Sequence, residues 1–169
     1  MNRETVRTLK EGVGFGVIGG IIMALAMMIG AAAAGEPAVQ PLRLVASVVM
    51  GSDALVATGG GVLLTGLLAH LVLSAIFGAV YGLFDSALSR DLRSSYGWQA
   101  GLGLVFGVAL WLVNYQIIAR IIYPWFIDQN QLFHVAMHAV FFGLPLGLMI
   151  AASERMVFMP PRTVATTRF

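Results

Sequence analysis

Residues 54–84, ALVATGGGVLLTGLLAHLVLSAIFGAVYGLF, run from Asp53 to Asp85 without a single charged side chain. A helix needs roughly 20 apolar residues to cross the hydrocarbon layer of a membrane. Of the whole chain, 59% is hydrophobic and only 11% is charged, whereas a soluble domain carries about 25% charged residues. Three further stretches also lack Asp, Glu, Lys and Arg: 12–35, 94–119 and 129–153. The sequence therefore predicts a chain whose solvent is the lipid bilayer.

The four apolar stretches predict an all-α, polytopic membrane protein with a bundle of four transmembrane helices. They are too long and too evenly apolar for membrane β-strands, which have about 10 residues of alternating polarity. The first stretch is also longer than the apolar core of a signal peptide, so we expect it to be retained. We expect one membrane domain over residues 1–169, with helices at about 12–34, 61–84, 99–122 and 131–153.

The connection between the first two helices contains a shorter apolar segment, 41–51, which is too brief to cross a membrane. We predict a helix lying at the outer interface, ended by Gly51. The glycine run 59–61 then separates this helix from the second transmembrane helix.

Lys and Arg residues are distributed unequally between the two sides of the predicted bundle. Only Arg43 and Arg120 fall on one side. The other eight are Arg3, Arg7, Lys10, Arg90, Arg93, Arg155, Arg162 and Arg168. Because basic residues favour the cytoplasmic side, we expect both termini in the cytoplasm and the chain in an inner (cytoplasmic) membrane.

Glycines recur at four-residue spacing, which lets helix backbones approach closely in lipid. Helices 1 and 3 both open with closely spaced glycines, and helices 2 and 4 each carry a Gly-x-x-x-Gly pair. This pattern is typical of a tandem repeat of a two-helix unit. The expected packing positions are Gly16, Gly20, Gly78, Gly82, Gly103, Gly107, Gly143 and Gly147.

Polar and soft side chains gather at one depth, roughly 9–12 Å below the outer ends of the helices at about 1.5 Å per residue. Helix 1 contributes Met27 and Met28, and helix 2 contributes His70, with Ser74 one turn below it. The others are Asn114, Tyr115 and Gln116 on helix 3, and His134 and His138 on helix 4. Polar groups inside a membrane are candidates for function.

This layer has three interpretations. In the structural one, His70 bonds to Asn114 or Tyr115, and His134 faces the outer water. In the second, His70 and His138 ligate the iron of haem b from two helices. In the third, His134, His138, His70 and Met27 bind copper, for which imidazole and thioether are suitable ligands. Without further evidence, no cofactor is the default expectation.

Several enzyme classes lack their residues in this sequence. There is no cysteine, which removes disulfides, iron–sulfur clusters and c-type haem attachment. No carboxylate is available within the membrane to orient His70 towards Ser74, and the glycine-rich segments have no P-loop lysine. The pI of about 9.4 comes from a few arginines and does not call for nucleic acid. We expect no enzyme activity from the chain on its own.

The segment His70-Leu-Val-Leu-Ser-Ala-Ile-Phe-Gly78, followed by Asn114-Tyr115 and Pro124-Trp-Phe126, resembles small bacterial four-helix membrane proteins of unassigned role. The resemblance implies a bacterial origin and an intact four-helix unit. From the short loops we expect an accessory subunit of a larger membrane complex, respiratory or photosynthetic, with lipid and other subunits as partners. The alternative is a membrane protein that binds haem b or copper; a small transporter or channel comes third.

Overall fold

The chain folds into a four-helix membrane bundle, seen in a computed structural model that describes residues 3–158. In chain order the helices are α1 (Arg3–Ala33), α2 (Gln40–Met50), α3 (Gly60–Asp85), α4 (Arg90–Ser94), α5 (Tyr96–Ile122) and α6 (Gln131–Val157). Four of them, α1, α3, α5 and α6, are long and apolar enough to cross a membrane. The predicted all-α, multi-pass fold is confirmed.

All four long helices extend beyond the predicted bounds, and α1 and α6 do so by the most residues. Helix α1 begins at Arg3, nine residues before predicted residue 12, and α6 continues to Val157, past predicted residue 153. Both extensions carry charges that are paired inside the bundle, so hydrophobicity alone could not reveal them. Arg162 and Arg168, which contributed to the predicted orientation, lie outside the described residues.

The four long helices form an arc in the order α3, α1, α6, α5. Helix α1 packs against both α3 and α6, and α5 packs against α6. Helices α3 and α5 end the arc and face each other across a gap that side chains bridge, among them Tyr81, whose ring lies 5.1 Å from that of Phe106. This gap is the most open side of the bundle.

Glycines form the contact between the two helices of each hairpin. A Cβ atom placed on Gly16 of α1 would lie 2.8 Å from the Cα atom of Gly78 on α3, and one placed on Gly107 of α5 would lie 2.6 Å from Ala139 Cα on α6. No side chain fits at such distances, so only glycine permits this approach. The eight predicted packing glycines are all buried, and for all of them except Gly20 an added Cβ atom would meet the backbone of the opposite helix.

The two hairpins also use their glycines in the same register. Gly12 lies against Gly78 and Gly82, and Gly103 lies against Gly143 and Gly147 in the second hairpin. The hairpins α1–α3 and α5–α6 therefore pack alike, which supports the predicted two-helix repeat.

Helix α2 covers one end of the gap between α3 and α5. Its apolar face buries Leu44, which packs in one cluster with Tyr115, Ala119 and Phe126. On its other side, Ala46 packs with Val62 at the start of α3. The predicted segment 41–51 is therefore a helix, but it is built into the bundle and joins the two ends of the arc.

A side-chain hydrogen bond attaches α2 to the loop after α5. The indole Nε1 of Trp125 donates to Ser47 Oγ at 2.8 Å, and Ser47 is fully buried.

We expect Ser47→Ala to lower the free energy of unfolding by about 1 kcal/mol, because Trp125 loses its acceptor. Thermal unfolding in detergent measures this, with the exposed Ser52→Ala as control. Equal stability of the two variants would show that the bond does not hold α2 in place.

At the opposite end of the bundle, five charged side chains, three of them buried, form a network centred on Arg93, which we call the Arg93 cluster. Arg93 is 1% exposed; its Nε donates to Asp85 Oδ2 at 3.0 Å, and its two Nη groups pair with Glu4 and Glu154. Arg7 also pairs with Glu154, at 2.7 Å. The cluster thus joins α1, α3, α4 and α6.

Arg93 keeps its charge despite deep burial. Burial acts to lower the pKa of the Arg93 guanidinium, but the bonds to Glu4, Glu154 and Asp85 outweigh this and keep that pKa above its ordinary value. Gln99 extends the network: its Nε2 donates to Asp85 at 2.7 Å, and its Oε1 accepts from the hydroxyl of Tyr81 at 2.6 Å. We call this end of the bundle the charged end, and the opposite half, with the three histidines, the histidine half.

Candidate functional site

The histidine half contains a cavity of about 270 Å³ between α1, α2, α3, α5 and α6. Its polar lining residues are His70, Ser74, Asn114, Tyr115, Tyr123 and His138. The rest of the wall is apolar and includes Met23, Met27, Phe77, Leu110 and Phe142. We call it the His70–His138 cavity. It lies at membrane depth, roughly 10–15 Å from the nearer ends of α3, α5 and α6 at 1.5 Å per residue.

His70 and His138 are each held by one ring nitrogen. His70 Nε2 lies 2.9 Å from the carbonyl oxygen of Gly20, and His138 Nδ1 lies 2.8 Å from that of His134. Because a carbonyl oxygen only accepts, these nitrogens carry the protons. In the neutral rings, His70 Nδ1 and His138 Nε2 are left as acceptors.

His134 lies behind the wall of the cavity. Its Nδ1 is 2.8 Å from the hydroxyl of Tyr115, and the two ring centres are 4.7 Å apart. His134 is only 4% exposed; it lines a second cavity of about 220 Å³, shared with Met27 and Gln40. The expectation that His134 faces outer water is wrong, because its side chain is buried against Tyr115.

Asn114 brings a free amide to the cavity. Among residues 3–158 its side chain has no hydrogen-bond partner, and it is half-buried. Gln116, predicted in the same layer, points elsewhere: its Nε2 donates to Gln131 at 2.9 Å, and its Oε1 accepts from Arg120 at 2.7 Å. Two positions along a helix differ by about 200°, so these two side chains occupy opposite faces.

The cavity coincides with two π-helical turns, one in α5 (Leu112–Ile118) and one in α6 (Met137–Gly143). Asn114, Tyr115 and His138 all lie within them. π-helical turns are rare and occur frequently at functional sites. Nothing in the residue pattern predicted them, since hydrophobic periodicity does not distinguish one extra residue in a turn.

The structure brings together most of the predicted polar layer. Met27, His70, Ser74, Asn114, Tyr115 and His138 line one cavity, whereas Gln116 does not, and His134 stands behind it. Predicted bonds from His70 to Asn114 or Tyr115 are wrong, since His70 bonds to Gly20. Ser74 Oγ donates to the carbonyl of His70 at 2.7 Å. It is thus part of the local helix structure.

The apolar part of the lining was not anticipated, apart from Met27; Met23, Phe77 and Phe142 are three examples. They stand four residues before Met27, seven after His70 and four after His138. Residues at these spacings share one face of a helix, so this signal was present in the sequence.

Chemically, the cavity is an apolar chamber with a few converging hydrogen-bonding groups, which is the usual character of a small-molecule site. Its lining contains no Lys, Arg, Asp or Glu. Across residues 3–158, no group of three or more His, Asp or Glu side chains is placed to hold a metal ion.

Comparison with known protein families, curated proteins and solved structures finds no match to this chain.

Proposed function

We propose that this protein binds a lipid-soluble small molecule in the His70–His138 cavity. One observation carries the proposal: two imidazoles with unprotonated nitrogens and an unpartnered amide, Asn114, line a single apolar cavity at membrane depth. In the hydrocarbon region, polar groups without partners are costly. A bound molecule that hydrogen-bonds to them offsets that cost.

The gap between α3 and α5 supports entry from the lipid. These helices flank the cavity with Leu73 and Ile118, while their backbones pack mainly against α1 and α6. Helix α2 covers one end of the gap, and the Tyr81–Phe106 contact closes it towards the charged end. A molecule dissolved in the bilayer would therefore enter sideways between α3 and α5.

Blocking this entrance tests the proposal. Tryptophan at Leu73 or at Ile118 would fill the mouth of the cavity, and Ile118 is already 37% exposed, so the fold has room for the change. We expect the wild-type protein, purified in mild detergent, to carry a small molecule detectable by native mass spectrometry. We expect Leu73→Trp and Ile118→Trp to lose at least nine-tenths of it.

Val72→Trp and Ile117→Trp are matched controls, because each adds the same ring one residue away on an exposed face. They should retain the bound molecule. If the wild-type protein carries no small molecule and binds none that is supplied, or if the controls lose it equally, the proposal fails.

Haem b and copper remain predictions that the same purification tests. The structure gives little support to haem ligation by His70 and His138. His70 Nε2 is hydrogen-bonded to Gly20, and the lining offers no Lys or Arg for the haem propionates. A Soret band that His138→Ala removes would favour haem b. Near-stoichiometric copper in the purified protein would favour the copper site.

We also propose that this protein acts as an accessory subunit, with both termini in the cytoplasm of a bacterium. The basic residues support the orientation, although Arg7 and Arg93 are taken up by internal ion pairs. Exposed apolar residues in the last turn of α2 and shortly after it support a partner: Val49 and Val56 are 67% and 81% exposed. In native gels of membranes, we expect a complex far above 18.0 kDa, which Val56→Asp reduces to the single chain.

A further inference from the structure

The hydrogen-bonding groups of the His70–His138 cavity narrow the class of ligand. Asn114 on α5 offers both an N–H donor and a carbonyl acceptor, and His138 on α6 offers an acceptor nitrogen. His70 on α3 offers a second acceptor nitrogen. The hydrogen-bonding groups thus lie on three different walls, so a ligand that bonds to more than one of them has polar atoms at separate points of its outline.

Charged and singly polar lipids match this pattern poorly. Fatty acids and phospholipids carry an anionic group, which needs a cation or several donors, and the lining contains no Lys or Arg. A lipid alcohol has one hydroxyl and could form hydrogen bonds with the groups on one wall only. A ring with oxygen atoms on opposite sides reaches two walls at once.

The aromatic lining of the cavity favours a flat ring. Phe77, Phe142, Tyr115 and Phe126 surround it, and aromatic faces pack well against planar rings. At about 270 Å³ it has room for one substituted ring. An alkyl tail on that ring would leave between Leu73 and Ile118 into the lipid.

We infer that the ligand is a quinone or quinol, with its ring between α3, α5 and α6 and its tail in the gap between α3 and α5; this rests on the proposed function. In the oxidised form, a ring carbonyl accepts from the Asn114 amide. In the reduced form, one hydroxyl donates to Asn114 Oδ1, and the other donates to His138 Nε2.

The test is a titration of the full-length protein in lipid nanodiscs with decylubiquinone and with decylubiquinol, followed by quenching of tryptophan fluorescence and corrected with empty nanodiscs. Asn114→Leu should lower the affinity for both forms about tenfold, because each loses one buried hydrogen bond. His138→Phe keeps a ring of similar shape but removes the acceptor nitrogen. It should therefore lower the affinity for the quinol about tenfold and leave the affinity for the quinone within twofold of the wild type.

Gln116→Leu is the matched control for Asn114→Leu: it lies on the same π-helical turn but bonds outside the cavity, and it should bind both forms as the wild type does. Elution volume and melting temperature confirm that each variant is folded. If His138 has a purely structural role, His138→Phe will lower the affinity for the quinone and the quinol equally. That result would overturn the inference.

A competitor without ring oxygens separates this inference from the proposed function. If decylbenzene displaces decylubiquinone at equal concentration, and Asn114→Leu changes nothing, the cavity binds apolar molecules but does not recognise a quinone. If neither probe binds and no small molecule copurifies, the proposed function fails as well. Tight quinone binding with the two variant patterns above supports both.

Discussion

Replacing Arg93 with methionine should lower the free energy of unfolding by about 3–5 kcal/mol. Methionine has a similar length but no charge, so Asp85 and Glu154 lose their shared cation. Both carboxylates are almost fully buried, at 1% and 0% exposure, and only Glu154 keeps a cationic partner, Arg7. Thermal unfolding in detergent, read from the elution of the intact protein, measures the loss.

Arg120→Met is the control, because Arg120 is exposed and bonds only to Gln116 among the contacts described for it. It should change stability by less than about 0.5 kcal/mol. Adding Asp85→Asn to Arg93→Met removes the carboxylate whose one described ion pair is lost and should restore part of the loss. If Arg93→Met is as stable as Arg120→Met, the Arg93 cluster contributes little to the bundle.

The second large effect is expected where glycines join the helices. Gly16→Ala and Gly107→Ala each push a methyl group into the backbone of the opposite helix. Overpacking of this kind costs about 1–3 kcal/mol, and here the obstacle is backbone that cannot rotate away. We expect both variants to unfold at lower temperature, and Gly107→Ala also to disturb the neighbouring His138.

Each helix provides its own control. Gly14 in α1 and Gly101 in α5 have nothing within 4 Å of an added Cβ atom. Alanine there should be neutral or stabilise by up to about 1 kcal/mol, since alanine has the higher helix propensity. If Gly14→Ala and Gly16→Ala have the same melting temperature, the close approach of α1 and α3 does not depend on Gly16.

These two features explain why a cavity persists in so small a bundle. Glycine contacts hold the two helices of each hairpin together, and the Arg93 cluster joins the hairpins at the charged end. Within residues 3–158, no such glycine contact or ion pair joins α3 to α5 in the histidine half, where α2 covers only one end of the gap. The helices are therefore in direct contact on three sides of the bundle, and the fourth side is where we propose that the ligand enters.

The predicted polar layer was correct in depth and partly wrong in its contacts. His70 and His138 were expected at one level on two helices, and both line one cavity. Depth follows from counting residues along a helix of known rise. The partner of His70 does not follow from counting, because it depends on how far α1 and α3 are rotated about their axes, and the glycine contacts bring Gly20 within its reach.

By itself, the sequence determined the four crossings, the helix α2 and the packing role of eight glycines, because each follows from local hydrophobicity or spacing. Only the tertiary structure decided that Asp85, Arg93 and Glu154 meet. They lie in segments that read as solvated ends, and a long guanidinium side chain reaches partners far away in the chain. Only the tertiary structure decided the π-helical turns that place Asn114 and His138 at the cavity. Helix packing, and not local propensity, determines where a turn contains one extra residue.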